Sequence, residues 1–235
     1  MKDFQVTMRP AYAVSDAQSA LVRSVFGWMT AGLFLSGIVA MYVLNTPAVT
    51  QSILGKPGLF LILAFAEVGL VVWLSARVMK MSAVKATSVF LIYSALNGVT
   101  LAPLAFIYTR ESLASTFMIT SAVFGSMAVF GYVTRRDLSS LGSFLYMGLW
   151  GIIIASLVNM FLQSTAVGFV MSVAGVIVFT GLTAWDVNKI KNMSTYVEEG
   201  TDDFRRYAIL GALSLYLDFI NLFIMLLRFF GSHRD

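Results

Sequence analysis

Three acidic residues, Glu67, Asp186 and Asp218, lie in or at the edge of long runs of uncharged, apolar sequence. A carboxylate without water around it must be protonated, paired or bound to a cation, so ionisable groups in such runs are candidates for handling ions or protons. Desolvation favours the neutral form of a carboxyl group, and a second carboxyl close by favours it further in one member of the pair. That is the chemistry of a site sensitive to pH near neutrality. Asp218 also shares a helical face with Ser214, four residues before it, and Asn221, three after it, a polar stripe in an apolar segment. Other chemistries have no residues to carry them. The chain has no Cys, which excludes thiolate ligands and Cys nucleophiles, and its single His, His233, stands in the C-terminal tail. We therefore expect no enzyme activity and no resident cofactor.

The elements that position these acids are set by composition. Of 235 residues, 58% are hydrophobic and 12% charged, and mean hydropathy is +0.82. Soluble domains run at about 25% charged. An apolar excess this large cannot be hidden inside a particle of this size, so the solvent is lipid. Charge-free stretches of about 20 residues predict seven helical spans, at about 24–44, 58–79, 86–108, 113–134, 140–162, 166–187 and 207–230. The fifth and sixth come from one uncharged run from Leu138 to Trp185, divided at Gln163-Ser164-Thr165. Helices follow because the runs are long and lack period-two alternation, and an isolated span must satisfy its own backbone. The expected fold is an all-α polytopic membrane protein, a single transmembrane domain over residues 1–235.

Lys and Arg sort by side. Lys2, Arg9, Arg23, Arg77, Lys80, Lys85, Arg135, Arg136, Lys189, Lys191, Arg205 and Arg206 fall on one side, against Lys56, Arg110, Arg228 and Arg234 on the other. Twelve against four predicts a cytoplasmic N-terminus and an external C-terminus in a plasma membrane. The scattered basic residues form no stripe for nucleic acid. Nothing at the N-terminus reads as a cleaved signal. Residues 188–206, with Glu198, Glu199, Asp202 and Asp203, form the sizeable polar loop. Gly168, Gly175 and Gly181, and Gly27, Gly32 and Gly37, recur at roughly helical spacing and suit close helix packing within a monomeric bundle; no two Gly are four apart, so nothing argues for a homodimer. Pro103, with Asn97 and Thr100 on the turns before it, marks a kink. Glu67 falls near mid-membrane, Arg77 and Asp186 at the cytoplasmic boundary, where they can pair, and Asp218 about 16 Å deep.

The segments GALSLYLDFINLFIMLLRFFG at 211–231, GLTAWDVNKIKNM at 181–193 and YSALNGVTLAP in span 3, with the span-2 glutamate, resemble the Bax inhibitor-1 family, closest to its short bacterial members. The resemblance implies a seven-helix fold with the last helix central. It also implies a pH-sensitive calcium leak, gated by two aspartates that share a proton and are latched by an arginine from the second helix. By position these are Asp186 and Asp218, which the resemblance also makes a transient calcium site, with Arg77 as latch ahead of Lys80, and with Glu67, Asp218, Asn221 and Ser214 along the ion path. Depth counting alone does not join Asp186 to Asp218; the resemblance supplies that pairing. Trp185 and Val187 flank Asp186 where the family often has Tyr-Asp-Thr, and the Lys-rich tail of some eukaryotic members is missing. Expected partners are membrane lipids, calcium and protons. The alternative is a regulatory protein that acts on membrane proteolysis or stress responses through its loops, with a membrane protease among its partners. An intramembrane aspartyl protease fits less well, because Asp218 stands in Leu-Tyr-Leu-Asp and not Gly-x-Gly-Asp.

Overall fold

The computed structural model describes residues 11–234. Lys2 and Arg9, counted above for orientation, lie outside them. Seven helices are long and apolar enough to cross a membrane: α1 (Ala11–Asn45), α3 (Pro57–Arg77), α4 (Ala83–Leu101), α6 (Arg110–Val133), α7 (Ser139–Leu162), α8 (Thr165–Met193) and α9 (Asp202–Phe230). Two short ones, α2 (Pro47–Leu54) and α5 (Leu104–Ile107), fill connections. The protein is an all-α polytopic membrane protein.

Local chemistry starts and stops these helices where the sequence signals it. Ser82, Thr109, Ser164 and Thr201 each accept a hydrogen bond from the backbone N–H three residues on, which satisfies an orphan donor of α4, α6, α8 and α9. The break between α7 and α8 falls at Gln163, in the left-handed region at φ 47°, where Asn159 Oδ1 takes the Ser164 N–H. Pro103 stops α4 outright: regular bonding ends with Ala102 N–H to Gly98 O, and α5 restarts beyond it.

Helix ends differ from the charge-based boundaries at four places, one of them the Pro103 stop, which ends α4 at Leu101 and not near 108. α1 begins before residue 24 because Ala20 and Leu21 are buried core residues, as is Val25 one turn on. α8 runs past 187 to Met193, and α9 starts at Asp202, before 207. Lysine is a good helix former, and charge ends a span without ending a helix. Lys191 reaches across to donate to Tyr132 O at 2.7 Å and Thr134 O at 3.1 Å, the last carbonyls of α6, while Lys189 Nζ rests 4.7 Å over the Trp185 ring.

The last helix is the centre. Its most apolar window is 67% buried, against 33% or less in each of the other six spans, and it packs on α1, α4, α6 and α8. Tyr216, Leu215 and Leu222 are fully enclosed. Outward faces carry Phe34, Phe65, Val84 and Phe161, each more than 70% exposed, a surface suited only to lipid. Close approach is supplied by some of the glycines singled out and not by others. A side chain at Gly175 would meet Met225, at Gly181 Leu145, and at Gly32 Phe90, whereas Gly27 and Gly37 face open space. Gly98 and Gly131 matter most, since a Cβ there would strike the backbone of Ser36 and of Ala184.

Candidate functional site

α3 packs on α4 and α7 packs on α8, and between these pairs a cleft of about 810 Å³ opens onto α9. Its polar residues come from five helices: Glu67 of α3, Tyr93 and Asn97 of α4, Tyr146 and Ser156 of α7, Asp186 of α8, and Ser214, Asp218 and Asn221 of α9. Valine, leucine and isoleucine form most of the remaining wall. All the acids, and both polar neighbours of Asp218, thus border one cavity.

Asp186 and Asp218 are each 5% exposed, border the same cleft, and their carboxyl groups lie close enough to act directly on each other. A hydrogen bond between two such groups needs one proton between them. Asp186, expected at the cytoplasmic boundary, lies nearly two turns inside α8 and is buried. The contacts of Gly175 with Met225 and of Gly211 with Ile190 fix the antiparallel register of α8 on α9, setting Asp186 level with Ser214 and Leu215, one turn from Asp218. Depth counting failed to join the pair because it started both spans at one level, whereas in this register α9 begins more than a turn beyond the end of α8. Asp218 Oδ2 is buried and makes no hydrogen bond among the described residues, which leaves one carboxyl oxygen for a proton or a cation. The nearest cation acting on Asp186 is Lys189, one turn further along α8.

Glu67 is held by α4. Thr100 Oγ1 lies 3.0 Å from both of its carboxyl oxygens, and the Asn97 side chain borders the same part of the cleft. Tyr216 of α9 donates in turn to Asn97 Oδ1 at 2.8 Å and pairs with Ser36 Oγ of α1 at 2.7 Å. These bonds set Glu67, Asn97 and Tyr216 at one depth, so Asp218 falls within a turn of the same level. Asn221 spends its amide on Leu217 O.

Arg77 is not brought to the aspartates. It is exposed at the end of α3, about 15 Å of helix from Glu67, and no ion pair joins it to a described residue. Lys80 is likewise exposed. In the 188–206 connection Asp203 and Asp202 pair with Arg206 at 2.8 and 3.8 Å, Thr201 caps α9, and Glu198 O accepts from Thr201 Oγ1. Among the described residues no three His, Cys, Asp or Glu gather as a chelating group.

The charge-based reading passed over Tyr146, which lies close to both aspartates and packs edge-on to Trp185 at 5.4 Å, and over Ser36 and Tyr216. An aromatic or a lone Ser in an apolar run carries no signal of its own. Asn97 and Thr100, three apart on one face of span 3, did carry one.

The family description "Inhibitor of apoptosis-promoting Bax1" matches residues 18–235. The chain belongs to the Bax inhibitor-1 family. An inner membrane protein of Escherichia coli strain K12, YbhL, is 49% identical over 214 residues, covering 91% of this chain and 92% of that one. An uncharacterized protein of Borreliella burgdorferi is 44% identical over 218 residues, with 93% and 94% covered, and one of Rickettsia prowazekii is 43% identical over 212 residues, with 90% and 89% covered. Family membership and the apolar helices together make this an integral inner membrane protein.

Proposed function

We propose that this Bax inhibitor-1 family protein is a pH-sensitive calcium leak of the inner membrane, gated by the Asp186–Asp218 pair. The observation that carries the reading is the buried pair of adjacent carboxyl groups on a cleft that Glu67 also borders. With one proton shared, α8 and α9 are held together at the middle of the bundle. When that proton leaves, two buried negative charges repel and the same oxygens become ligands for a hard divalent cation. Asp218 Oδ2, already unpartnered, is the first such ligand. Acids in series at one depth favour entry of a cation without caging it, which suits a leak and not a storage site. Flux should be passive and the protein should catalyse no reaction. The twelve-to-four distribution of Lys and Arg supports a cytoplasmic N-terminus, so the basic end of the cleft faces the cytoplasm. Arg77 and Lys80 are both exposed, so a latching role for Arg77 requires α3 to carry it inward as the path closes.

The test is calcium entry into liposomes carrying the purified protein from pH 6 to 8, beside Asp218→Asn. A pH-dependent flux altered by the substitution supports the gate. Folded protein with no flux above empty vesicles at any pH overturns the leak and leaves the regulatory reading through the 188–206 loop.

A further inference from the structure

Glu67 and the central helix are joined by a hydrogen-bonded array that the ion path does not itself require. It runs from Ser36 on α1 through Tyr216 on α9 to Asn97 on α4, and Thr100 of the same helix carries it on to Glu67 on α3. Tyr216 is fully buried, its ring set edge-on against Phe90 at 6.0 Å and Tyr93 at 5.7 Å. Those contacts leave the hydroxyl little freedom to point elsewhere. It donates to Asn97 Oδ1, and an amide oxygen only accepts whereas the amide nitrogen only donates. A donor on the oxygen therefore decides which way the amide faces, and the end left for Glu67 is the NH₂ group. Thr100 supplies the second donor to the same carboxyl. Gly98, next to Asn97, lets the α1 backbone at Ser36 come close enough for Ser36 Oγ to reach both Ser94 O, at 2.7 Å, and Tyr216.

We propose that Tyr216 is a positioning residue for Glu67: its hydroxyl orients the Asn97 amide so that two donors, Asn97 Nδ2 and Thr100 Oγ1, hold the carboxyl at the cleft wall. Tyr216 and Asp218 are two residues apart and so lie on opposite sides of α9. The central helix thus grips one acid through Asn97 and the other directly. A movement of α9 that parts Asp186 from Asp218 also acts on Glu67. This role rests on the cleft being a cation path.

The test is a double-variant cycle of full-length protein in liposomes: wild type, Tyr216→Phe, Glu67→Gln and the two combined. Removing one hydroxyl from Tyr216 keeps the ring and its packing. Calcium permeability is expected to fall about threefold or more in Tyr216→Phe, the low end of coupling within one network, and the same substitution is expected to change nothing in the Glu67→Gln background. An equal loss in both backgrounds, or no loss in the first, overturns the proposal. If wild type carries no calcium, the leak reading fails on its own and apparent Tm decides the positioning role with the same four proteins. Tyr216 and Glu67 share Asn97, so the double variant is expected to depart from the sum of the single shifts by about 2 °C, and the departure to vanish in an Asn97→Leu background. Additive shifts, or a departure that persists without Asn97, overturn it.

Discussion

In the proposed gate the carboxyl pair acts as one unit, because the two buried groups act directly on each other. Asp186→Asn and Asp218→Asn are each expected to change calcium permeability and its dependence on pH, and the double variant to match the single ones, since either change already removes the shared proton site. Liposome flux for the three proteins checks this; effects that multiply would mean two independent groups. Arg77 gives the contrasting case. It is exposed and without an ion pair in the described protein, so Arg77→Ala is expected to leave apparent Tm unchanged within about 1 °C, as for a surface site. A large loss of stability would place Arg77 in the closed gate. The acids themselves were legible in sequence, because charge in an apolar run is conspicuous. Tyr146, Tyr216 and Ser36 were not, because an aromatic or hydroxyl residue in such a run reads as packing until a neighbouring helix supplies its partner.

Single atoms decide how far helices stand apart. Gly98→Ala would push a methyl group onto the Ser36 carbonyl of α1, and Gly131→Ala onto the Ala184 backbone of α8. Backbone cannot rotate away as a side chain does, so each is expected to destabilise by about 1–3 kcal/mol, read as a lower apparent Tm, while Gly27→Ala and Gly37→Ala, facing open space, should be neutral. The start of α7 carries a pH-dependent contact outside the membrane. Asp137 Oδ1 accepts the Ser139 N–H at 2.9 Å, and hydrogen bonding by Ser139 holds its carboxyl below the ordinary aspartate range. A depressed folded-state value means the contact stabilises above the unfolded value, near 3.8, and is lost as pH falls through the folded one. The amide-exchange protection factor of Ser139 should drop over that acid range in wild type and stay flat in Asp137→Asn. Sequence gave access to the caps and to the Pro103 break, which are local. It missed the ends of α8 and α9, because a span defined by charge stops where lipid stops, and a helix does not.

At the scale of the molecule, α9 is tied at its far end as well as its middle. Ser232 O accepts the Thr109 N–H, Arg234 N–H reaches Ile107 O, Ser232 N–H reaches Ser112 Oγ, and the His233 ring lies 5.1 Å from that of Tyr108. Ending the chain after Gly231 removes all four contacts and is expected to lower apparent Tm. Unchanged stability would mean the tail merely rests on the α5–α6 corner. This also accounts for the single histidine, whose ring packs at a tilt of 40° against that of Tyr108. Reporter fusions at the C-terminus and within 194–201 test the proposed orientation, with an external and a cytoplasmic signal expected respectively.

Composition alone determined the solvent, and with it the helices: without water to satisfy backbone groups, seven charge-free runs had few other forms to take. Residue type determined which groups were costly, hence Glu67, Asp186 and Asp218. Family resemblance named their pairing. Only the tertiary structure decided why that pairing is possible, because it depends on the axial stagger of α8 against α9. Stagger is set by contacts such as Gly175 with Met225 and Gly211 with Ile190, which join residues far apart in the chain. Counting along one helix carries no information about where its neighbour begins.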